Sequence, residues 1–491
     1  MRVYARRSGL RMVPLPLLLL LALLAWFALT AGLRPLAAPD EGRYAGVALQ
    51  MVGSGDWLVP RLDGLPFFHK PPLFYWIGAA AMSVFGPVEW AARLPSVVGA
   101  TLAGFSLWLF LRRHVSADAA RRAATVLATM PFFYVGAQFA NLDMLVAGCI
   151  SATILCTAHA ALLIEEGSRA GKAVLGAFAL AGLGLLAKGL IGLVLPAAVV
   201  FIWALACRRP RRALVLLRPS GWLVLALIGL PWMAAMQWRF PAFFDYFIVT
   251  QHFRRFAQTG FNNAHPFWFY LPVMLCLTLP WSARWLAGVR SLRARMGAWT
   301  QVDTLMLAWL AVVLVFFSLP QSKLVGYVLP ALPPMAWFAA PFVRRWLVML
   351  AAVVCVVAIV LAGRYAVPPA TRLAPPPGFS PADRVVMVDD YFYELPFYWQ
   401  LRNPVFIASD WSPEVAGARD NWRKEVFDAA AFATPDQRRV LIAPGDIAAL
   451  SDAPGTTWLV GQADNTTVIA LSHGAPPAER SGPVGVWRFT R

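Results

Sequence analysis

Long apolar runs recur along most of this 491-residue chain, and short segments rich in arginine separate them. A transmembrane α-helix needs about 20 predominantly apolar residues, and most of these runs approach that length. About eleven of them are therefore predicted to cross a membrane. The predicted spans are residues 13–33, 94–111, 122–139, 144–163, 173–187, 189–206, 221–238, 266–286, 302–319, 325–342 and 346–366.

Composition agrees with a polytopic α-helical membrane protein. Charged residues make up 14% of the chain, whereas soluble proteins contain about 25%. The net charge of +18 would suggest a nucleic-acid partner in a soluble protein. Here the arginines lie between apolar runs, and no basic patch interleaved with aromatic residues is present. The charge therefore predicts loops that face anionic membrane lipid, and no nucleic-acid partner.

The arginine-rich segments set an orientation, because cytoplasmic loops of membrane proteins carry an excess of Lys and Arg. The basic N-terminus precedes an apolar run that is longer than the core of a signal peptide, so a retained first helix is predicted. The first outer loop, residues 34–93, then lies outside the cytoplasm. Within this loop, residues 73–86 are too short for a span and are typical of an interfacial or re-entrant helix.

The chain divides into two predicted domains. Residues 1–366 form the transmembrane domain, and a proline-rich linker opens the second domain, residues 367–491. This second domain is predicted to be a small soluble α/β domain on the outer side, which either steadies an acceptor or only caps the membrane part. Its predicted strands are residues 384–394, 404–409, 438–444, 456–461, 466–472 and 484–491.

Two acidic positions are candidates for chemistry. Asp40 and Glu41 open the first outer loop, where a solvated loop or a helix N-cap is the simpler explanation. Asp143 lies at the outer end of a predicted span among apolar residues, where an ionisable group is expensive and often functional. The orientation places both acidic positions on the same side of the membrane.

Cations occur in the outer loops as well. Each could simply reach for lipid head groups, as long basic side chains at helix ends do. Their recurrence on the side of the two acids instead favours a phosphate-binding surface, because cations with fixed donors suit a phosphate. The residues concerned are His69, Lys70, Lys188, His252, Arg254, Arg255 and Lys323.

Acids and cations together predict a transferase that uses a lipid-linked donor. Outside the cytoplasm a transferase needs a donor that is already activated in the membrane, and a sugar on a polyprenyl phosphate meets that need. Cations stabilise the departing phosphate, which is typically the larger catalytic effect. A carboxylate accepts the proton of the attacking group, which contributes about 10²–10⁴-fold. A single displacement with inversion is the simplest reaction.

The opening stretch also resembles a known family. The sequence "PDEGRYAGVALQMVGSGDWLVPRLDGLPFFHKPPLFYW" is similar to the first outer loop of bacterial members of the dolichyl-phosphate-mannose–protein mannosyltransferase superfamily. The similarity is greatest to the lipid A aminoarabinose transferase (ArnT-like) branch. Further motifs follow in order: "NLDMLV", "LLAKGLIGLVLP", "HFRRFA" before "HPFWFYLP", and "SKLVGYVLPALPP". The resemblance implies a GT-C glycosyltransferase fold in a bacterial inner membrane, with the active site on the periplasmic side.

The resemblance also assigns expected roles to residues. Asp40 matches the acid proposed for catalysis and Asp143 a second required acid, and Glu41 is a further catalytic candidate. Lys188 and Arg255 match cations near the donor phosphate. The other expected substrate-binding residues are Arg43, Tyr44, Lys70, His252, Lys323 and Tyr327.

One position departs from the aminoarabinose branch. Relatives commonly have Glu before the Lys of their K-P motif, where this chain has His69. His69 could still bind a divalent metal ion, but the site would carry one negative charge fewer. No cofactor is required by the sequence, and a divalent metal stays an open expectation.

The leading prediction is an inverting glycosyltransferase that moves a sugar from a polyprenyl-phosphate donor to lipid A or another envelope glycan. The alternatives are a protein O-mannosyltransferase-like enzyme, a catalytically inactive interaction protein, and a transporter or flippase of lipid-linked sugars. A transporter should place polar residues near the middle of the membrane, whereas here they lie at its predicted outer surface. The sequence sets neither the sugar nor an oligomeric state.

Overall fold

The computed structural model describes residues 14–254, 263–294, 299–450 and 455–489. Helices dominate as far as residue 365. They are α1 Leu15–Ala28, α2 Asp40–Ser54, α3 Leu73–Phe85, α4 Glu89–His114, α5 Ala117–Ala128, α6 Pro131–Ala137, α7 Leu142–Glu165, α8 Gly171–Lys188, α9 Ile191–Ala206, α10 Pro219–Arg239, α11 Tyr270–Leu277, α12 Ser282–Ala294, α13 Gln301–Ser318, α14 Leu332–Ala339 and α15 Arg345–Tyr365. A π-helical segment covers Asp245–Arg254, and 3-10 turns cover Pro210–Leu217, Val325–Ala331, Ala340–Phe342, Ala370–Arg372 and Pro444–Asp446.

Within the described residues, seven helical stretches are long and apolar enough to cross a membrane, so the chain is a multi-pass membrane protein. Three apolar helices are shorter: Leu15–Ala28, Leu73–Phe85 and Ile191–Ala206. The seven long stretches are Glu89–His114, Leu142–Glu165, Gly171–Lys188, Pro219–Arg239, Gln301–Ser318, Val325–Phe342 and Arg345–Tyr365.

Prolines explain why the helices depart from the expected spans. The expected span 122–139 is broken between α5 and α6, where Pro131 occupies the first turn of the new helix. The expected span 266–286 is broken between α11 and α12, close to Pro280. Proline has no N–H to continue a helical ladder, and its ring clashes with the preceding turn. Apolar composition continues across these breaks, whereas the helical hydrogen bonding does not.

Two glycines let α4 and α7 touch backbone to backbone. A Cβ on Gly148 would lie 2.2 Å from the carbonyl oxygen of Gly99, and a Cβ on Gly99 would lie 2.4 Å from that of Met144. Small residues allow this close approach between membrane helices. The contact lies less than two turns from the start of α7, and it therefore fixes the position of that helix end.

The C-terminal region folds into a sheet with short helices. Its six strands have the order β5-β4-β3-β6-β8-β7, and a separate two-stranded hairpin, β1–β2, lies in the first outer loop. Strands β5, β4, β3 and β6 run parallel to one another, and β8 is antiparallel to both of its neighbours, β6 and β7. The strands are β1 Arg61–Leu62, β2 Leu65–Pro66, β3 Arg384–Val388, β4 Phe406–Ala408, β5 Leu441–Ile442, β6 Thr457–Gln462, β7 Glu479–Ser481 and β8 Val484–Phe489. The short helices are α16 Leu395–Tyr398, α17 Pro413–Ala416, α18 Trp422–Ala430, α19 Pro435–Arg438, α20 Ile447–Leu450 and α21 Thr466–Leu471.

One predicted strand was wrong. Residues 466–472 contain β-branched residues, but Thr466–Leu471 is the helix α21. The side chain of Asn465 accepts hydrogen bonds from the backbone N–H groups of Thr467 and Val468, at 2.9 and 3.2 Å. This N-cap satisfies donors that a helix start leaves free, and it starts the helix despite the composition.

The sheet region packs on the first outer loop. Asp63, at the turn of the β1–β2 hairpin, accepts a hydrogen bond of 2.8 Å from the backbone N–H of Val405. The phenyl rings of Phe68 and Phe432 meet edge to face with centroids 5.0 Å apart. The C-terminal domain is therefore in direct contact with the first outer loop, in addition to its covalent connection through the linker.

The Asp63 contact makes this packing sensitive to pH. Burial raises the pKa of Asp63 to about 7, and its Oδ2 has no hydrogen-bond partner among the described residues. Between the ordinary pKa of an aspartate and 7, the folded protein holds a proton that the unfolded chain has released. The contribution of Asp63 to stability is therefore greatest at low pH and is lost as the pH rises through 7.

We expect the Tm of the purified protein to fall between about pH 5 and about pH 8. Asp63→Asn should reduce that slope without abolishing it, because the pKa values of Glu394 and Asp390 are raised by burial as well. Asp56→Asn, in the same loop, is the control, since hydrogen bonds to Asp56 lower its pKa. Thermal unfolding in detergent measures the slopes. Equal slopes for the wild type and Asp63→Asn would contradict the assignment.

Candidate active site

The first turn of α2 presents Asp40. Pro39 occupies the cap position and no side chain caps the helix, so Asp40 is not the N-cap that the sequence allowed. Instead, Arg43 donates a hydrogen bond to Oδ1 of Asp40, and Asn141 Nδ2 donates to Oδ2 at 3.3 Å. The Asp40 side chain remains 33% exposed. A carboxylate at a helix N-terminus is favoured by the helix dipole, and this one is both held in place and accessible.

Glu41, the neighbouring acid and the further catalytic candidate from the sequence, does not line the cavity described below. Its side chain is completely buried and forms ion pairs with Arg34 at 2.5 Å and Arg93 at 2.8 Å. The backbone N–H groups of Ala37 and Ala140 donate to the same carboxylate at 2.8 and 2.7 Å. Burial alone would raise the pKa of Glu41, but the charges of Arg93 and Arg34 outweigh it and lower that pKa.

This buried carboxylate ties two parts of the site together. Ala140 precedes Asn141, whose side chain accepts a hydrogen bond of 2.8 Å from the backbone N–H of Asp143 and caps α7. Glu41 therefore connects the first turn of α2, which carries Asp40, with the first turn of α7, which carries Asp143. It is a positioning residue.

Asp143 is paired with Lys188, which ends α8. The ammonium of Lys188 also lies 4.4 Å from the ring centroid of Tyr327. Gly326 allows this arrangement, because a Cβ at that position would lie 2.5 Å from Oδ2 of Asp143. Asp143 thus holds the lysine ammonium at one place, and three distant parts of the chain meet around it.

Arg43 joins the membrane part to the C-terminal domain. It donates to Asp40 and to Glu425 of α18, and its guanidinium lies 5.3 Å from the Tyr44 ring centroid and 5.4 Å from that of Tyr393. Burial would lower the pKa of Arg43, but Glu425 and the other neighbours outweigh burial and raise that pKa. Arg43 is therefore a fixed cation beside Asp40.

These groups face one cavity of about 720 Å³. Asp40 and Asp143, which the sequence placed on the same side of the membrane, both line it. Within the described chain, the residues that the sequence nominated and that line this cavity are Asp40, Arg43, Tyr44, His69, Lys70, Asp143, Lys188 and Tyr327.

Lys323 is placed away from this cavity. It is only 2% exposed, donates to the carbonyl oxygens of His265 (2.9 Å) and Pro320, and does not line the cavity. In this structure Lys323 connects two loops. Arg255 lies outside the described residues, as do the side chains of His252 and Arg254.

His69 shows no metal-binding geometry. Its ring stacks on Phe67, with centroids 4.6 Å apart and planes 13° from parallel. Among the described residues, no three His, Cys, Asp or Glu side chains are grouped as metal ligands. The described residues therefore do not form a site that fits a divalent ion.

The C-terminal domain supplies a wall that the sequence did not reveal. Most of its cavity-lining residues lie at or after the carboxyl ends of the neighbouring parallel strands β3 and β6, or around the start of α18. Pro483 and Val484 lie at the start of β8, opposite the carboxyl end of β6, and residues 368–370 of the linker line the cavity as well. Ligands commonly bind beyond the carboxyl ends of parallel strands, so the acidic and aromatic run after β3 was the available signal. This wall consists of Asp390, Tyr391, Phe392, Tyr393, Glu394, Asp420, Asn421, Trp422, Glu425, Gln462, Pro483 and Val484.

The two walls differ in charge. The membrane part contributes Lys70, Lys188 and Arg43 together with Asp40 and Asp143, whereas the described residues of the C-terminal wall contribute four carboxylates and no cation. Burial raises the pKa of Glu394 to about 7 and also raises the pKa of Asp390. A ligand with a negative group at one end and hydrogen-bond donors at the other would match this polarity.

The comparisons with known proteins agree with this architecture. Residues 69–238 match the family model described as dolichyl-phosphate-mannose-protein mannosyltransferase. The family resemblance predicted from the sequence is confirmed. The crystal structure of ArnT from Cupriavidus metallidurans bound to undecaprenyl phosphate superposes with a TM-score of 0.77 at 22% identity, covering 96% of this chain and 97% of that one.

A more distant solved structure also resembles the chain. The archaeal oligosaccharyltransferase AglB from Archaeoglobus fulgidus has a TM-score of 0.56 at 13% identity, covering 91% of this chain and 69% of that one. The likeness to both solved structures confirms the predicted GT-C fold.

Curated relatives are named undecaprenyl phosphate-alpha-4-amino-4-deoxy-L-arabinose arabinosyl transferases. Those from Sodalis glossinidius and Aeromonas hydrophila are both 32% identical over 65% of this chain. The matched part spans only 57% and 58% of those two relatives.

The buried Glu41 network yields a stability prediction. Glu41→Gln removes the charge that two buried arginines share, and breaking a buried ion pair costs about 3–5 kcal/mol. We expect a clear loss of Tm in detergent. Glu166→Gln, which breaks a half-exposed ion pair with Arg113, should cost less than about 1 kcal/mol. Similar Tm values for the two variants would refute the structural role of Glu41.

Proposed function

We propose that this protein is an integral-membrane glycosyltransferase that moves a sugar from a polyprenyl-phosphate donor to an acceptor outside the cytoplasm. The observation that supports this proposal best is the shared cavity. Asp40, the Asp143–Lys188 pair, Arg43 and Lys70 come from separate parts of the chain and line one space. An accessible carboxylate beside fixed cations is what a phosphate-leaving displacement needs.

The reaction is a single displacement with inversion. The acceptor hydroxyl attacks the anomeric carbon, and Asp40 accepts its proton. The bond between that carbon and the phosphate oxygen breaks, and the polyprenyl phosphate leaves with the electron pair. Lys188, Lys70 and Arg43 stabilise the negative charge on this phosphate. Asp143 positions Lys188, and Asn141 positions Asp40.

The relatives suggest the substrates. The donor lipid is undecaprenyl phosphate, by analogy with the ArnT crystal structure that carries this lipid. The sugar is 4-amino-4-deoxy-L-arabinose, by analogy with the names of the curated relatives. The distribution of charge in the cavity supports this sugar. With its phosphate at the lysines and arginine, the sugar would direct its amine towards the carboxylates of the C-terminal wall. Lipid A or another envelope glycan is the acceptor.

The protein acts in the bacterial inner membrane, with the cavity and the C-terminal domain on the periplasmic side. The distribution of arginine supports this orientation. Arg113 ends α4, and Arg208, Arg209 and Arg211 follow α9, at helix ends away from Asp40 and Asp143. Positive charge marks the cytoplasmic side of membrane proteins.

Asp40→Asn tests the proposed base. We expect transfer from a radiolabelled undecaprenyl-phosphate sugar to fall by about 10²–10⁴-fold, the usual contribution of a general base, while Tm and donor binding stay near those of the wild type. Asp56→Asn, in the same outer loop, is the control because Asp56 does not line the cavity. Retained transfer would remove Asp40 as the base. Movement of the lipid-linked sugar across vesicles without a new glycosidic bond would indicate a flippase.

Glu425→Gln tests whether the C-terminal domain is part of the site. Glu425 binds Arg43 and accepts a hydrogen bond of 2.6 Å from the Tyr393 hydroxyl. Losing the charge should reduce kcat/KM by about tenfold, equivalent to about 1.4 kcal/mol and typical of a weakened bond to a charged group. Glu414→Gln, in the same domain but not lining the cavity, should leave kcat/KM unchanged. If kcat/KM of Glu425→Gln equals that of the wild type, the C-terminal domain only covers the membrane part and is not part of the site.

A further inference from the structure

A second cavity lies at the other end of the bundle. It has a volume of about 360 Å³ and is lined by Ala161, Ile164, Glu165, Arg209, Arg211 and Arg212. Helix α7 connects the two regions, since it begins beside Asp143 and ends at Glu165. At 1.5 Å per residue, these two acids are about 33 Å apart, roughly the thickness of a bilayer core. The second cavity is thus separate from the candidate active site.

Its charge is strongly positive. Three arginines and one glutamate line it, which leaves a formal surplus of two positive charges. Glu165 is already bound by Arg212 at 2.8 Å, and Arg209 reaches it only at 3.8 Å. Arg211 is exposed, and the structure gives it no ion pair with a described residue. The cavity therefore has positive charge available for an anion.

Arg212 forms a fixed wall of this cavity. It is only 4% exposed, its guanidinium lies 4.4 Å from the ring centroid of Trp203, and its Nη2 donates to Gln301 at 2.6 Å. Its Nη1 is buried and has no hydrogen-bond partner among the described residues. Arg212 therefore contributes a rigid positive charge to the cavity wall, which favours an oxyanion in the cavity.

The surroundings distinguish a lipid from a soluble anion. Ile164, which lines the cavity, is 38% exposed, and Leu214 and Leu217 of the adjacent 3-10 turn are 57% and 68% exposed. Acyl chains would cover this apolar surface, whereas a soluble phosphate would leave it bare. We propose that this cavity binds the phosphate head group of an anionic phospholipid from the cytoplasmic leaflet.

Binding of dioleoylphosphatidylglycerol to the purified full-length protein tests the proposal, with dioleoylphosphatidylcholine as the neutral lipid. Native mass spectrometry in detergent measures the affinity. We expect phosphatidylglycerol to bind more tightly, and Arg211→Gln to weaken it about fivefold, the usual effect of one basic residue near an anionic lipid surface. Arg211 is preferred to Arg212, whose loss would disturb the contacts with Trp203 and Gln301.

Arg218→Gln is the matched control, because it removes the same charge from the same segment but does not line the cavity. It should change the affinity less than twofold. Equal binding of the two lipids, or equal effects of Arg211→Gln and Arg218→Gln, would overturn the proposal. Glycerol phosphate that displaces the lipid at similar concentrations would overturn it too, since the ligand would then be a soluble phosphate. None of these readouts depends on glycosyl transfer.

Discussion

The buried carboxylate of Glu41 is the interaction on which the candidate site depends. Its two oxygens bind Arg34 after α1 and Arg93 in α4, together with backbone N–H groups before α2 and α7. A buried charge is tolerated only when such partners surround it. These partners come from three separate segments, the α1–α2 connection, α4 and the loop before α7. The charge that is costly to desolvate therefore also fixes how these segments meet. The ion pairs and hydrogen bonds of Glu41 therefore fix the positions of the accessible Asp40 and the paired Asp143.

The cavity is built by two structural layers, and all of its described lysines and arginines come from the membrane layer. Helix α8 supplies Lys188, helix α2 supplies Arg43, and the first outer loop supplies Lys70. The C-terminal sheet supplies carboxylates and tyrosines beyond the ends of its parallel strands. Arg43 links the layers through Asp40 and Glu425. In the proposed function, the phosphate and the sugar would therefore contact different domains, with the guanidinium of Arg43 connecting them.

The sequence predicted the membrane half of the site better than the rest. Asp40, Asp143 and Lys188 could be found because each lies at the outer end of a predicted helix within a family motif. Glu41 could not be separated from Asp40, since neighbouring helical residues differ by about 100° in direction and only packing decides which one is buried. The role of Lys323 depended on loops distant in sequence. The C-terminal wall depended on strand order, because only the sheet brings the residues after β3 and β6 to one edge.

The two layers contribute separate parts of the cavity, and this separation affects how ligand selectivity can change. The six-stranded region follows the last membrane helix and forms its side of the cavity from short segments after strands. Such segments can change in length and side chain without disturbing the glycine contacts between α4 and α7 or the charge network around Glu41. A change in the C-terminal wall can therefore alter which ligands the cavity selects while the membrane part of the cavity stays the same. Chimaeras that join two chains in the proline-rich linker are the natural way to engineer such a change.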